Sequence, residues 1–290
     1  MRPTVYVNGT ITSAREAVIP VFDHGFLYGE GVYETMRTYQ GRVFMFDRHL
    51  ARLRRSAGWL GISVPADDDG LRARVHQTMD AARESEPAEA YIRVLLTRGV
   101  GELTYQPSAC PTPSLVIIVK PLPVAPERWF TEGISVSLVS VRRNHPDALN
   151  PLIKSNNLLN NAMAMQEALR HGADEALMRN HAGDIVECSQ SNFFIVKDGA
   201  VTTAPLSAGL LPGITRAWVL ELAEEIGVKA SEDRITHDDV FTADEAFITG
   251  TTREITPVIS VDGRPIGTGV PGSVTLGLLA HFRKRALDFI

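Results

Sequence analysis

Three segments within the first 46 residues alternate apolar and polar positions in a way that is typical of short β-strands. Two tight turns, Asn8-Gly9 and Gln40-Gly41, interrupt the alternation, because asparagine and glycine accept the left-handed backbone that such turns need. The pattern therefore predicts antiparallel hairpins built from the strands Thr4–Val7, Val32–Tyr39 and Arg42–Phe46.

A helical period follows these strands, with apolar side chains at Leu50, Leu53, Ala57 and Leu60. This spacing of three and four predicts an amphipathic helix that starts near Asp47 and is closed by a glycine. The next segments predict a second helix and two further strands that complete a small α/β sheet: Asp69–Ser85, Ala90–Thr97 and Ser114–Lys120.

A proline-rich segment, Lys120–Pro126, is the best candidate for a domain boundary, because its three prolines suppress helix and sheet hydrogen bonds. We predict a small N-terminal α/β domain over residues 1–120, a linker over 121–130 and a larger α/β domain over 131–290. The larger domain has predicted strands at Ile134–Val141, Glu175–Asn180, Phe193–Lys197, Ala246–Thr249 and Thr256–Val261, and predicted helices at Asn156–His171, Thr215–Gly227 and Val274–Phe289.

Composition narrows the possible functions. The chain has 290 residues, 44% hydrophobic and 22% charged, which is ordinary for a globular protein. A formal net charge of −5 argues against nucleic acid as a partner and favours a small metabolite. The sequence shows no secretion signal and no apolar run long enough for a membrane helix. Its two cysteines, Cys110 and Cys188, suggest ordinary buried thiols in a reducing cytoplasm.

Lys154 is the first candidate for chemistry. It is one of five lysines and lies in Pro151–Asn157, among apolar and neutral residues. Such surroundings favour the unprotonated amine that Schiff-base formation requires. The alternative is a solvated lysine in front of a helix, and the residue alone does not decide between them.

Glu187 is the second candidate, in a neutral stretch after the turn at Gly183-Asp184. A carboxylate in this setting can keep the pyridine nitrogen of a pyridoxal cofactor protonated, so that the ring accepts electrons. A strand-edge acid in contact with water is the alternative reading.

Two glycine-containing turns could hold a phosphate group. Leu211–Arg216 opens a predicted helix, where the first N–H groups have no partner inside the helix and where Gly213 lets the backbone come close. Gly250-Thr251-Thr252 offers a second turn with hydroxyl groups. Arg52 could add a bidentate charge, although a solvated helix arginine is the simpler reading.

Taken in chain order, these segments resemble the fold-type IV pyridoxal-phosphate enzymes, which include branched-chain aminotransferases, D-amino-acid aminotransferases and aminodeoxychorismate lyases. The six matching motifs span nearly the whole chain: Tyr28–Arg37, His49–Leu53, Ile153–Ser155, Glu187–Asn192, Leu211–Arg216 and Gly250–Val258.

The resemblance implies a small N-terminal and a larger pseudo-barrel α/β domain, with pyridoxal 5'-phosphate between them, in a homodimer whose sites borrow residues across the interface. Lys154 looks like the Schiff-base lysine and proton shuttle, and Glu187 like the partner of the pyridine nitrogen. Leu211 looks like the residue packed against the ring. The phosphate would lie at Arg52, Gly213, Ile214, Thr215, Gly250 and Thr251.

The substrate side favours an L-branched-chain aminotransferase that uses a 2-oxo acid such as 2-oxoglutarate in a ping-pong reaction. Tyr91-Ile92-Arg93 resembles a strand of those enzymes, and Arg37 fills a position where they often carry arginine. Gly101–Tyr105 lacks the Arg-x-His carboxylate trap of well-known D-amino-acid aminotransferases. The full set of candidate substrate residues is Tyr33, Thr35, Arg37, Tyr91, Arg93, Arg98 and Thr252.

Two alternatives stay open. Leu158 follows Asn157 where many branched-chain enzymes have a tyrosine, which makes this stretch closer to D-amino-acid aminotransferases. An atypical carboxylate trap could use Arg37, Arg93 or Arg98. Thr35 and the loop that begins at Arg98 also resemble aminodeoxychorismate lyase, but the Arg-Gly-Tyr that should follow is absent, so a lyase is the least favoured reading.

Overall fold

The computed structural model describes residues 1–84 and 88–288, which form two compact units. The first unit comprises Met1–Pro123 with Ile153–Asn157, and the second comprises Val124–Leu152 with Leu158–Asp288. The sequence prediction placed every residue after 130 in one domain, whereas Ile153–Asn157 belongs to the first unit. The physical reason is that Ile153 is buried in the core of the first unit and that Ser155 forms a β-bridge with Val32 of that unit.

The first unit is built on a six-stranded antiparallel sheet. Its strands are β1 (Thr4–Val7), β2 (Thr10–Ser13), β3 (Gly31–Tyr39), β4 (Arg42–Val43), β5 (Ala90–Thr97) and β6 (Ser114–Pro121). Their order in the sheet is β2-β1-β6-β5-β3-β4. The helices of this unit are α1 (His24–Tyr28), α2 (Phe46–Trp59) and α3 (Asp68–Ala82).

Helix α2 packs its apolar face on the sheet, because Leu50, Leu53 and Ala57 are almost completely buried in the same core as Val32 of β3. Each buried leucine side chain stabilises the fold by about 1.5–3 kcal/mol. The predicted second helix corresponds to α3, and its predicted last residue, Ser85, lies outside the described residues.

The predicted strand Arg42–Phe46 is wrong in its second half. Strand β4 ends at Val43, and α2 begins at Phe46. Met45 adopts a left-handed backbone with φ of 51°, which turns the chain away from the direction of β4, and the Phe46 ring that follows is buried in the core. An alternating pattern cannot reveal such a change of direction.

The second unit contains the remaining strands and helices. Its strands are β7 (Ile134–Leu138), β8 (Glu175–Arg179), β9 (Ile185–Cys188), β10 (Asn192–Lys197), β11 (Ala200–Thr203), β12 (Ala230–Glu232), β13 (Glu245–Gly250), β14 (Glu254–Val261) and β15 (Arg264–Pro265). Its helices are α4 (Arg128–Thr131), α5 (Leu159–Arg170), α6 (Ile214–Glu225), α7 (His237–Thr242) and α8 (Ser273–Asp288).

Six strands of the second unit close into a ring, in the order β10-β13-β14-β7-β8-β9, because β9 also pairs with β10. The pairing that completes the ring joins Glu187 to Asn192. This agrees with the expected pseudo-barrel and places the predicted ring-nitrogen partner at the point of closure. Apolar side chains of these strands, including Phe193 and Ile248, fill one core cluster.

The helix predicted over Asn156–His171 begins later, at Leu159. The residues just before it are not helical, and the Asn156 N–H donates to the carbonyl of Gly31 at 2.8 Å. The predicted end of the last helix, Phe289, lies outside the described residues. No helix within residues 1–84 and 88–288 is both long and apolar enough to cross a membrane.

Candidate active site

The first unit holds Lys154 in an extended segment beside β3. Its carbonyl accepts a hydrogen bond from the Tyr33 N–H at 2.9 Å, and its own N–H donates to Ser56 Oγ at 3.2 Å. The next residue, Ser155, forms a β-bridge with Val32. The Lys154 Nζ lies 4.5 Å from the centre of the Tyr33 ring. The backbone of the lysine is therefore fixed, and its amine lies over an aromatic face.

One face of the first unit's sheet gathers the side chains that the sequence predicts to bind substrate. Burial alternates along β3 and β5, so the half-buried side chains of both strands share one face. Directly opposite residues of an antiparallel pair lie on the same face, and here Thr35 opposes Arg93 and Arg37 opposes Tyr91. The sheet thus brings together Tyr33, Thr35, Arg37, Tyr91 and Arg93.

Arg93 lacks a carboxylate partner in the part of the chain that the structure describes. Its guanidinium carbon lies 4.0 Å from the centre of the Tyr33 ring, the ring that also contacts Lys154. The buried Nε of Arg93 has no hydrogen-bond partner among the described residues. The guanidinium carbon of Arg37 likewise lies 4.0 Å from the centre of a tyrosine ring, that of Tyr39. A substrate carboxylate would supply the acceptor that Arg93 needs, because a guanidinium binds carboxylates with paired hydrogen bonds.

Arg52 belongs to a buried ionic cluster. Its Nε and Nη2 donate to the two oxygens of Glu34 at 2.7 and 2.8 Å, and His49 Nδ1 lies 2.7 Å from Glu34 Oε2. Burial alone would raise the pKa of Glu34, but the charge of Arg52 and these hydrogen bonds lower that pKa to about 2. Burial also lowers the pKa of His49, against the opposing effect of Glu34. Glu34 therefore orients one edge of the Arg52 guanidinium.

The contacts of Arg98 do not support its predicted role as a substrate ligand. The side chain is buried, and its Nε donates to Glu30 at 2.7 Å. Its other two nitrogens donate to the carbonyls of Gly61 and Leu60 at the end of α2. These bonds cap a helix C-terminus, so we leave Arg98 out of the proposed substrate site.

Glu187, at the end of β9 in the second unit, is almost completely buried and accepts several hydrogen bonds. Arg143 Nε donates to its Oε1 at 2.6 Å. The N–H of Leu211 and the amide of Asn192 donate to its Oε2 at 3.1 and 3.3 Å. The carboxylate is thus held in one orientation by donors from three separate segments.

Asn192 connects Glu187 to the start of α6. Its amide also donates to the Leu211 carbonyl at 3.0 Å, and its Oδ1 lies where a side chain at Gly213 would begin. Gly213 is the N-cap of α6 and provides no side-chain acceptor, while Ile214 and the residue after it are buried. This 12-residue helix therefore begins beside Asn192, and its first N–H groups have no partner inside the helix.

Two buried hydroxyl groups lie next to this region. Ser191 Oγ and Thr249 Oγ1 have no hydrogen-bond partner among the described residues, and Thr249 pairs with Asn192 across β10 and β13. Ser191 Oγ is 3.7 Å from the position that a Cβ would take at Gly250. Thr251 and Thr252 follow in the turn between β13 and β14. The second unit thus collects helix N–H groups and unpaired hydroxyls, which are the groups that bind phosphate.

The family sequence model described as "Amino-transferase class IV" matches residues 31–261. The chain belongs to the class IV aminotransferases. These enzymes depend on pyridoxal 5'-phosphate and act on amino acids and 2-oxo acids. The predicted family, α/β fold and aminotransferase activity are therefore confirmed.

Three relatives illustrate how this class IV aminotransferase compares with known proteins. It is 37% identical to the branched-chain-amino-acid aminotransferase of Pseudomonas aeruginosa, over 93% of this chain and 89% of that protein. It is 35% identical to the D-alanine aminotransferase of Bacillus licheniformis, over 98% and 97%. The solved branched-chain aminotransferase of Thermoproteus uzoniensis, with norvaline, superposes with a TM-score of 0.90 at 33% identity, covering 98% of this chain and 95% of that one.

Sequence reasoning about this aminotransferase missed Arg143 and Asn192, the side-chain partners of Glu187. Asn192 ends one of the matching motifs, but its type alone does not suggest a contact with Glu187 and Gly213 at once. Arg143 stands beside Arg142, which is more exposed, and no feature of the sequence distinguishes the buried arginine from its neighbour. Both roles arise only where separate segments meet.

Proposed function

We propose that this class IV aminotransferase moves an amino group between a branched-chain L-amino acid and a 2-oxo acid such as 2-oxoglutarate, with pyridoxal 5'-phosphate bound covalently to Lys154. The proposal depends on one observation: the amine nitrogen of Lys154 lies 4.5 Å, and the guanidinium carbon of Arg93 4.0 Å, from the centre of the same Tyr33 ring. This ring thus lies next to a nucleophilic amine, that of Lys154, and next to a cation, Arg93, that lacks a carboxylate partner among the described residues.

The residues of the second unit fit the cofactor. Glu187, fixed by at least three donors, has the charge needed opposite a protonated pyridine nitrogen. The uncapped start of α6 and the unpaired hydroxyls of Ser191 and Thr249 suit a phosphate group. We propose that the phosphate is held by Arg52, Gly213, Ile214, Thr215, Gly250 and Thr251.

Bound pyridoxal 5'-phosphate would supply an electron-accepting ring that makes the substrate Cα–H acidic. Lys154 would remove and return that proton. Arg93, with Arg37, would bind substrate carboxylates, and Tyr33, Thr35, Tyr91 and Thr252 would line the pocket. Glu187 would keep the ring nitrogen protonated throughout, since its carboxylate is held in place by Arg143.

Two features favour a branched-chain substrate over a D-amino acid. The segment that would carry the Arg-x-His trap instead presents Leu103 and Tyr105, whose side chains are exposed and largely apolar. The Tyr-Ile-Arg strand has Tyr91 and Arg93 on the same sheet face as Thr35 and Arg37, where we propose that the substrate binds. The D-amino-acid alternative is supported by Leu158, which replaces a tyrosine, and by the similarity to the B. licheniformis enzyme.

A half-reaction experiment tests the proposal. Wild-type protein and Lys154→Ala, each supplied with pyridoxal 5'-phosphate, are mixed separately with L-leucine, D-alanine and D-glutamate, and cofactor absorbance is followed. We expect conversion to the pyridoxamine form with L-leucine only, and only in wild type. Conversion with the D-amino acids alone would show that the protein is a D-amino-acid aminotransferase. If the wild-type spectrum has no absorbance band that is lost in Lys154→Ala, the proposed role of Lys154 is wrong.

We further propose that the protein is a homodimer. Two adjacent segments of the first unit, 18–26 and 100–105, expose eight large apolar side chains. The segments are joined by the bridge between Asp23 and Val100. A contiguous apolar surface of this kind is typical of a protein interface. We call it the apolar patch, and its members are Val18, Ile19, Val21, Phe22, Phe26, Val100, Leu103 and Tyr105.

The compartment is also part of the proposal. Cys110 and Cys188 are both buried and form no disulfide. Buried free thiols suit the reducing cytoplasm, where we propose that the enzyme works.

A further inference from the structure

Glu175, at the start of β8 in the second unit, has no exposed surface. Its Oε1 accepts hydrogen bonds from the N–H of Ala176 at 2.9 Å and from the hydroxyl of Ser189. Its Oε2 lies 3.4 Å from Nη2 of Arg253, whose side chain is 12% exposed. A carboxylate buried this deeply needs a charged partner, and Arg253 is the cation that provides it.

The two side-chain partners of Glu175 come from the segments next to Ser191 and Thr249, whose hydroxyls lack a hydrogen-bond partner among the described residues. Ser189 precedes Ser191 in the connection between β9 and β10. Arg253 ends the Gly250–Arg253 turn between β13 and β14, and its N–H donates to the Gly250 carbonyl at 3.1 Å. The buried carboxylate of Glu175 therefore contacts both the β9–β10 connection and the β13–β14 turn.

Further contacts hold the turn from its other side. The Arg253 guanidinium lies 5.1 Å from the centre of the Trp129 ring, and the Arg253 carbonyl accepts the Thr256 hydroxyl at 2.7 Å. Glu254 adopts a left-handed backbone with φ of 50°, and its carboxylate accepts a hydrogen bond from Arg283 of α8 at 2.8 Å. Such a conformation persists only where its surroundings impose it. The turn is thus anchored through consecutive residues that follow its two threonines.

We propose that Glu175 and Arg253 are a positioning pair for the cofactor phosphate. Neither residue contacts the phosphate. Their ion pair holds the Thr251 turn and the Ser189–Ser191 segment at the separation at which N–H and hydroxyl groups of both can reach one anion. The inference rests on the proposed binding of pyridoxal 5'-phosphate. It adds two residues that are not among those proposed to hold the phosphate directly.

A comparison of two ligands that differ only in the phosphate separates positioning from general stability. Apoprotein is titrated with pyridoxal 5'-phosphate and with pyridoxal, and dissociation constants are obtained from absorbance and protein fluorescence. The variants are Glu175→Gln, Arg253→Met and the double variant. Arg285→Met is the matched control, because it removes an arginine that pairs with Glu225 on the surface of the same unit. Thermal unfolding of every variant is recorded in parallel.

We expect each single variant to weaken pyridoxal 5'-phosphate binding by about tenfold or more, because a displaced turn would no longer donate one of its hydrogen bonds to the charged phosphate. Binding of pyridoxal should change little. The double variant should bind pyridoxal 5'-phosphate no more weakly than the weaker single variant, because the two residues act through one interaction. Arg285→Met should leave both constants unchanged.

Several outcomes would overturn the inference. Equal losses for both ligands would show a role in stability only, and unchanged binding of pyridoxal 5'-phosphate would show that the pair does not position the phosphate site. In both cases wild-type binding would leave the proposed function standing. Wild-type protein that binds neither ligand would overturn the proposed function and this inference together. Glu175→Gln preserves the shape of the side chain, so a readout remains even if Arg253→Met does not fold.

Discussion

Buried ionisable side chains determine how this protein responds to acid at the scale of single residues. Glu34 contacts both Arg52 and His49 with almost no exposure to solvent. Its lowered pKa means that the unfolded chain takes up a proton more readily than the folded chain. The pair therefore stabilises the fold fully above pH 4.5, and this contribution is lost as the pH falls toward 2. His49 acts in the same direction below pH 6.5, because burial lowers its pKa as well.

Glu34→Gln should remove this acid dependence. At pH 7 we expect the variant to be less stable by on the order of 3 kcal/mol, because Arg52 would remain buried without its charged partner. The difference from wild type should shrink as the pH is lowered from 4.5 toward 2, measured by urea unfolding at several pH values. A difference that stays constant would contradict the assigned ionisation.

Glu225→Gln is the matched control for this prediction. The pKa of Glu225 is also lowered to about 2, through hydrogen bonds from Arg285 and His281. Glu225 lies on the surface, so added salt should screen its contribution, whereas the contribution of Glu34 should persist.

The start of α6 is the element on which the proposed phosphate site depends most. Its N-cap is Gly213, and the space that a side chain there would need is filled by the Asn192 amide. Asn192 in turn donates to Glu187. One glycine therefore permits the close approach of a helix terminus, a strand terminus and the predicted ring-nitrogen partner.

Gly213→Ala should push the Asn192 side chain away. We expect cofactor binding to weaken by about tenfold, through the loss of hydrogen bonds at Glu187, and stability to fall by about 1–3 kcal/mol from the steric overlap. Gly277→Ala is the control, since a Cβ at that position of α8 meets nothing within 4 Å. That change should stabilise the protein by about 0.5–1 kcal/mol. Unchanged cofactor affinity in Gly213→Ala would contradict the arrangement.

The apolar patch is the feature that bears on the whole molecule. Eight exposed apolar side chains on two adjacent segments are unfavourable in water, and a second copy of the chain would cover them. The proposed substrate residues of β3 and β5 belong to the same unit as this patch.

Phe26→Asp and Leu103→Asp should therefore shift the protein toward a monomer. Both side chains belong to the apolar patch and are 71% and 66% exposed, so the substitutions should leave the fold of a single chain intact. Sedimentation velocity at several concentrations measures the shift. Val124→Asp, at a position 93% exposed outside the apolar patch, is the control. A wild-type protein that sediments as a monomer at every concentration would contradict the proposed dimer.

The sequence by itself determined the family, the α/β class and most elements, because hydrophobic periodicity and ordered motifs are local properties. The β3 and β5 strands and the lysine motif could all be read from consecutive residues. The ends of elements were predicted less accurately. Met45 turns the chain just before α2, and α5 begins only after Asn156, whose N–H donates to Gly31. Both ends depend on contacts with distant segments.

Only the tertiary structure decided which charged side chains are bound to each other. Arg93 and Arg98 look equivalent in the sequence, yet the first lacks a carboxylate among the described residues and the second is fully engaged at the end of α2. The partnership of Glu187 with Arg143, and that of Glu175 with Arg253, joins residues many positions apart. The energy of an ion pair depends on burial and on the distance between its atoms, and neither quantity is a property of local sequence.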